Sequence, residues 1–295
     1  METNLKEPSL HIWQQITKSA LREDRSEYDV TTQSTVLKEQ VGKGVLRFKQ
    51  NGTLAGMKAA ETAFKYMDPD IRLSKVLPDG TQVKNGSTVA IVEGTLQGIL
   101  SAERVALNLL QRLSGVATLT AQMVSQLSQY PNVSIVDTRK TTPGLRSLER
   151  YAVRCGGGSN HRDNLQDGVL IKDNHIAAAQ KRGVGISDLI ASVRKQIPHT
   201  LQIEIEADTP ELAEQAVLAG ADIVMLDNMT PDTMEKIIQS ARKSQRAEHV
   251  VFEASGGITN DTIEAVAAAG VNLISVGALT HSAAAVDISL DISIN

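Results

Sequence analysis

The sequence predicts an α/β protein: a parallel, barrel-like β/α body preceded by a small antiparallel α+β domain, to which the last strand returns. Three observations carry this reading. Between Lys43 and Thr95, short β-prone runs are separated by Asn51-Gly52, Asp79-Gly80 and Asn85-Gly86, the turn pairs that hairpins require. After Pro131 the texture changes to apolar runs without alternation, each followed by a helical stretch, as strands buried on both faces demand. The tail then alternates: Val286, Ile288, Leu290, Ile292 and Ile294 are apolar, whereas Asp287, Ser289, Asp291 and Ser293 are polar. A period of two puts one face in a core and one in water, so this strand belongs with the antiparallel sheet.

Element by element, His11 to Glu23 predicts an amphipathic helix with Ile12, Ile16 and Leu21 on one face. Val45–Phe48, Leu54–Gly56, Ile71–Leu77 and Val89–Val92 predict strands. A long helix is expected from about Ser101 to Gln129, with Leu109, Leu113 and Val116 forming an apolar stripe. Arg104, Asn108 and Gln111 lie on another face, either simply solvated or with Arg104 aimed at a ligand. Parallel strands are expected at Ser134–Val136, Val169–Ile171, Ile203–Ile205, Ile223–Leu226, Val250–Phe252 and Leu273–Val276, with helices beginning at Pro210, Pro231 and Asn260. Six or more such strands in succession favour a barrel over an open sheet.

Composition narrows the function. At 295 residues, 41% hydrophobic and 22% charged, the chain can bury a sizeable core. A net charge of −4 with one Trp, four Tyr and three Phe argues against nucleic-acid binding, which needs basic surface and stacking rings. The single Cys155 excludes an intramolecular disulfide, the first ten residues do not form a secretory signal, and Ala265–Val286 is too rich in small and polar residues for a membrane span. The expectation is a cytoplasmic protein.

In barrels the active site lies at the C-terminal ends of the strands. Those ends are polar here. Asp137-Thr138-Arg139-Lys140-Thr141-Thr142-Pro143-Gly144 follows the first parallel strand; Thr142 and Pro143 suit a helix N-cap and first turn, but Arg139 and Lys140 read as an anion site. Gly156-Gly157-Gly158 leads to His161-Arg162, and the next strand delivers Lys172, whose ammonium at a buried strand end needs an anionic partner. Glu204 and Glu206 are expected to divide between barrel interior and helices, and Asp227 closes the following strand. These acids could pair with the cations or serve a ribose diol and Mg²⁺. Ser255-Gly256-Gly257 and Gly277, each expected to open a helix, suit a phosphate cradle. No H-E-x-x-H, C-x-x-C, G-x-x-x-x-G-K-[ST] or G-x-S-x-G is present, and Cys155 reads as inert.

Asp137 to Arg146, Gly156-Gly157-Gly158 with Asn160-His161-Arg162, and Leu170-Ile171-Lys172-Asp173-Asn174-His175 together resemble the quinolinate phosphoribosyltransferase family. Asn108 to Gly115, Leu226-Asp227-Asn228 and Glu253-Ala254-Ser255-Gly256-Gly257-Ile258 extend the resemblance over about Ala20 to Leu290. Arg25-Ser26-Glu27-Tyr28 and Asn164 depart from it where glycines are usual.

The resemblance implies transfer of phosphoribose from phosphoribosyl pyrophosphate to quinolinate with loss of CO₂, giving nicotinate mononucleotide for NAD synthesis. It implies an incomplete barrel of about seven strands over residues 116–283. An N-terminal α+β sandwich over 1–115 is rejoined by 284–295. It also implies a homodimer in which Arg104 enters the partner's site. Arg139, His161, Arg162 and Lys172 would hold the two carboxylates, with Thr138 also at the substrate. Lys140 would lie by the pyrophosphate and ribose, and Glu206 and Asp227 by the ribose hydroxyls and Mg²⁺. Ser255, Gly256, Gly257 and Gly277 would bind the 5′-phosphate. Lys140, Lys172, Glu206 and Asp227 are the expected catalytic residues. The alternatives are the same fold acting on another acceptor, a Schiff-base lyase using Lys172, and a binding protein that kept the pocket.

Overall fold

A computed structural model describes residues 5–243 and 248–294. The first part of the chain forms α1 (Leu10–Glu23), α2 (Val30–Thr35), β1 (Val41–Phe48), β2 (Gly52–Thr53), α3 (Met57–Met67), β3 (Arg72–Ser74), β4 (Gln82–Val83), β5 (Thr88–Thr95) and α4 (Leu96–Gln126). Next come β6 (Ser134–Val136), α5 (Arg146–Cys155), β7 (Val169–Ile171), α6 (Asp173–Gln180), α7 (Ile186–Gln196), β8 (Ile203–Ala207) and α8 (Pro210–Leu218). The remainder is β9 (Ile223–Asp227), α9 (Pro231–Arg242), β10 (Val251–Ser255), α10 (Ile263–Ala268), β11 (Leu273–Ser275), α11 (Ala278–His281) and β12 (Ile288–Ile294).

Two compact units result: Met1–Ala121 with Lys140–Gly158 and Ala278–Asn295, and Gln122–Arg139 with Ser159–Gly277. The sequence division at 115/116 and 283/284 differs from this, because residues 140–158 and 278–283 pack with the first unit. Of the ranges expected there, residues 1–4 and 295 lie outside the described residues.

In the first unit a four-stranded antiparallel sheet has the order β12-β1-β5-β3. The C-terminal strand returns to it as expected, in a register that sets Ile288 opposite Phe48 and Ile294 opposite Gly42. Its alternation weakens towards the chain end: Ile288 is buried but Ile294 is 64% exposed, because β12 is the sheet's edge. Helix α1 buries Trp13, Thr17 and Leu21, a stripe displaced by one position from the expected Ile12 and Ile16. Leu54–Gly56 is a turn rather than a strand: Ala55 N–H donates to Ser114 Oγ, and Gly56 adopts φ 99° to enter α3. Helix α3, not expected, buries Ala59, Ala60, Ala63 and Phe64.

Helix α4 organises this unit. Arg112 donates through Nη1 to Ala283 O (2.7 Å) and through Nη2 to Thr280 O and to the fully buried Glu149 (2.8 Å), while Gln111 Nε2 donates to Ile288 O (2.8 Å). The backbone of residues 284–285 crosses α4 at Gly115, where a Cβ would lie 2.1 Å from Ala284 O. Helix propensity alone would make Gly115→Ala stabilising by about 1 kcal/mol. The close approach reverses the sign, and a net loss of about 1–3 kcal/mol is expected. Thermal or urea unfolding measures it, and an unchanged or raised midpoint would contradict this packing.

The second unit carries a parallel six-stranded sheet of order β6-β11-β10-β9-β8-β7. The first and last strands in sequence are hydrogen-bonded, and every other neighbour follows chain order, so the topology is that of a ring open between β6 and β7. Ile203, Ile205, Val224, Leu226, Phe252, Ala254 and Ile274 are buried in it. Instead of a seventh strand there is a single parallel bridge, Val136 to Ser159. The reason is composition: Asn160-His161-Arg162-Asp163-Asn164 offers no apolar run that could sit as a buried strand.

Candidate active site

The polar strand ends form one site in the second unit, built from the first parallel strand onward. Asp137, immediately after β6, is completely buried, and its carboxylate accepts from Asn160 Nδ2 (2.6 Å) and from the backbone N–H of His161 (2.8 Å). Burial, and next the charge of Arg139, hold the Arg162 pKa below its ordinary value, with Glu204 opposing. Arg162 also donates to Gly168 O (3.2 Å), across the opening before β7. That contact places the Arg162 guanidinium towards the starts of the strands, whereas Arg139 follows the end of β6.

Lys172, at the end of β7, has the anionic partner the sequence demanded. Its Nζ lies 2.5 Å from Glu206 Oε2, and the side chains are 45% and 17% exposed. Exposure keeps the pair weak enough to exchange partners. Glu206 and Glu204 do not divide between interior and helices as expected, because residues two apart on a strand share a face. Both point into the ring of strands, Glu206 towards Lys172 and Glu204 one layer below towards His161. Asp227 ends the neighbouring strand β9 and accepts from Asn228 Nδ2 (2.8 Å).

At the end of β10, Gly256 (φ 91°) and Gly257 (φ 61°) turn the chain through a conformation that favours glycine. A Cβ at Gly256 would lie 2.2 Å from Asn228 Oδ1, whereas at Gly257 the space within 4 Å is open. Thus Gly256 packs and Gly257 leaves room for an approaching anion, with Ser255 beside them. The expected helix does not open there: α10 begins only at Ile263, while Gly277 directly precedes α11.

His161 lies deeper. Its Nε2 is 3.1 Å from Glu204 and 3.5 Å from Glu253, a carboxylate that is completely buried. With Arg162, these groups line a cavity of about 380 Å³ among the starts of the strands, at Ser134, Ile223 and Leu273. Burial pulls the imidazole pKa down, but hydrogen bonds to the two carboxylates outweigh it and push it up to about 10. Burial likewise raises Glu204, against the His161 hydrogen bond. The three ligand atoms are close enough to surround a metal ion, yet Arg162 N–H donates to His161 Nδ1 (2.8 Å). In the neutral ring that contact places the proton on Nε2, turned towards the carboxylates, which themselves favour the protonated ring. A metal-ligating imidazole instead donates through its other nitrogen.

Other expected residues take different places. Thr138 is half-buried between Asp137 and Arg139. Arg104 and Lys140 are exposed and belong to the first unit, Arg104 on α4 and Lys140 with its carbonyl accepting from Thr280 Oγ1. Thr142 is not an N-cap, since α5 begins at Arg146. Its amide and hydroxyl instead bind Glu149, at 3.0 and 2.8 Å. Sequence reasoning assigned no role to Asp137 or Glu253, although each is an acid beside or inside an apolar strand, which is a signal for a buried partner.

These features define a barrel-type protein whose strand ends carry the cations, acids and glycines suited to small, multiply charged anions. Comparison with known proteins makes the class specific. Residues 116–291 match the model of the quinolinate phosphoribosyl transferase C-terminal domain, and residues 29–114 that of its N-terminal domain. The chain belongs to the quinolinate phosphoribosyl transferase family. It is 41% identical over 273 residues to a Bacillus subtilis protein named a probable carboxylating nicotinate-nucleotide pyrophosphorylase, covering 92% of this chain and 91% of that one. The crystal structure of NadC from Streptococcus pyogenes superposes with a TM-score of 0.91 at 36% identity, covering 98% and 99% of the two chains. The nicotinate-nucleotide pyrophosphorylase of Francisella tularensis does so at 0.90 and 34%, covering 99% and 100%.

Cys155, in the first unit, takes no part in this chemistry. It is 6% exposed, and burial, followed by the nearby Asp79 carboxylate, pushes its thiol up to about 12. The thiolate is the reactive species. Native protein should therefore label with a disulfide reagent far more slowly than unfolded protein, and equal rates would contradict this burial.

Proposed function

We propose that the protein transfers phosphoribose from phosphoribosyl pyrophosphate to the ring nitrogen of quinolinate, releasing the 2-carboxylate as CO₂ and forming nicotinate mononucleotide for NAD synthesis. The observation that carries this is that the family's N- and C-terminal domains match residues 29–114 and 116–291, with Arg139, Arg162 and Lys172 in the second unit. A dianion with two adjacent carboxylates calls for several cations, which these three residues supply.

Arg139, Arg162 and Lys172 hold the carboxylates, with Thr138 beside them. His161, its Nε2–H turned to Glu204 and Glu253, braces the Arg162 backbone. When Lys172 takes a substrate carboxylate, Glu206 is released from its present partner and becomes available to the ribose hydroxyls. The nitrogen lone pair then forms the bond to ribose C1 as the bond from C1 to the pyrophosphate oxygen breaks, and Lys140 receives the growing negative charge. Breaking of the C2–carboxylate bond leaves its electron pair on the ring, where the cationic pocket stabilises it until a proton replaces CO₂. Ser255, Gly256, Gly257 and Gly277 seat the 5′-phosphate.

Glu206 and Asp227 are hard oxygen donors ending adjacent strands, a donor set that fits Mg²⁺. When bound there, the ion would neutralise pyrophosphate charge. In our reading the enzyme is a cytoplasmic homodimer in which Arg104 serves the partner's site.

Purified protein with Mg²⁺, phosphoribosyl pyrophosphate and either quinolinate or nicotinate tests the assignment by product chromatography. Nicotinate mononucleotide should form from quinolinate. Turnover of nicotinate alone, or a borohydride-trapped adduct on Lys172, would overturn it. Arg139→Ala and Lys172→Ala should each lower kcat/KM by about a hundredfold or more while leaving circular dichroism unchanged; full activity in either would refute its role.

A further inference from the structure

We infer that Asp137 is a positioning residue for the proposed carboxylate clamp of Arg139, Arg162 and Lys172: its buried carboxylate takes over where the backbone ladder stops and ties the segment that carries Arg162 to the one that carries Arg139. The inference deepens the functional reading above and rests on it.

A strand in a parallel ring is held by backbone ladders on both sides. The segment that carries Arg162 has only a single bridge. Ser159 N–H donates to Ile135 O (2.8 Å) and Asp137 N–H donates to Ser159 O (3.2 Å), after which the ladder stops. Beyond it one side chain takes over, meeting a side-chain amide and the next backbone N–H. Asn160 Nδ2 reaches Asp137 Oδ2 at 2.6 Å, and His161 N–H reaches Oδ1 at 2.8 Å. A completely buried carboxylate is retained only when such donors satisfy it, and charge-assisted hydrogen bonds are the stronger kind.

The consequence for the clamp follows from chain connectivity. Arg139 is two residues beyond Asp137, and Arg162 is one residue beyond His161. One carboxylate therefore ties the segment that carries Arg139 to the segment that carries Arg162. Arg162 N–H, bonded to His161 Nδ1, closes the last link. Asp137 does not need to touch substrate to govern how the carboxylates are received.

Asp137→Asn tests this. The amide is nearly isosteric, but it can accept from only one of the two donors and sets its own NH₂ against the other. The milder Asn160→Ala, at a half-buried position, removes one hydrogen bond and leaves the His161 contact. Positioning predicts that KM for quinolinate rises about tenfold or more in Asp137→Asn and less in Asn160→Ala, whereas KM for phosphoribosyl pyrophosphate changes less than threefold in both. It also predicts non-additivity: once Arg162→Ala is in place, adding Asp137→Asn should raise KM for quinolinate by less than twofold. A merely structural role would lower kcat through loss of folded enzyme, leave both KM values alone, and combine additively with Arg162→Ala. If the KM for quinolinate is unchanged in soluble Asn160→Ala and in Asp137→Asn, the inference is overturned. If wild-type enzyme itself forms no product from quinolinate, the functional reading fails and this inference falls with it, an outcome distinct from an active wild type with indifferent variants.

Discussion

Burying charge at the ends of apolar strands is the constraint on which the second unit depends. Burial, and next the charge of Arg139, hold the Arg162 pKa below its ordinary value. Arg139, Arg162 and Lys172 bring three cations into the second unit within 34 positions, although the whole chain has a net charge of −4. A basic pocket of this kind persists only if the surrounding backbone is fixed and nearby acids counter its field without filling it.

The parallel sheet supplies both. Asp137, Glu204, Glu206 and Glu253 all lie on or next to strands whose apolar neighbours fix their direction, and they are stacked at different depths. The half-buried Glu206 pairs exchangeably with Lys172, whereas the buried acids engage His161, the Asn160 side chain and the His161 backbone. Depth thus separates acids that can trade partners with a ligand from acids that maintain the frame. The first unit follows another rule, in which α4 and the returning chain meet at Gly115 because no side chain intervenes.

Much of this was legible in the sequence. The strand at Ser134–Val136 and that at Val169–Ile171 appear with the expected bounds, because an apolar triplet followed by charge can only be a buried strand reaching a polar end. The period of two after Val286 placed β12 correctly, since it reflects a sheet face rather than a neighbour's identity. The anion-site cations were recognisable by type. What escaped was set by contacts distant in sequence. Asp137 meets Asn160 and His161 some two dozen residues away, and Thr142 meets Glu149 in place of capping a helix. The inward turn of His161 depends on two carboxylates from separate strands. Helix α3 was passed over because its buried face is mostly alanine, which gives little periodic signal. The expected split of Glu204 and Glu206 failed on geometry that the sequence did contain, their spacing of two.

The most direct test of the account follows one carbon atom. Quinolinate labelled in its 2-carboxylate, incubated with the enzyme, Mg²⁺ and phosphoribosyl pyrophosphate, should release label as CO₂ in a one-to-one ratio with pyrophosphate, leaving unlabelled nicotinate mononucleotide. Pyrophosphate release with the label retained in the nucleotide, or no release of either, would contradict a pocket built for a decarboxylating transfer to quinolinate.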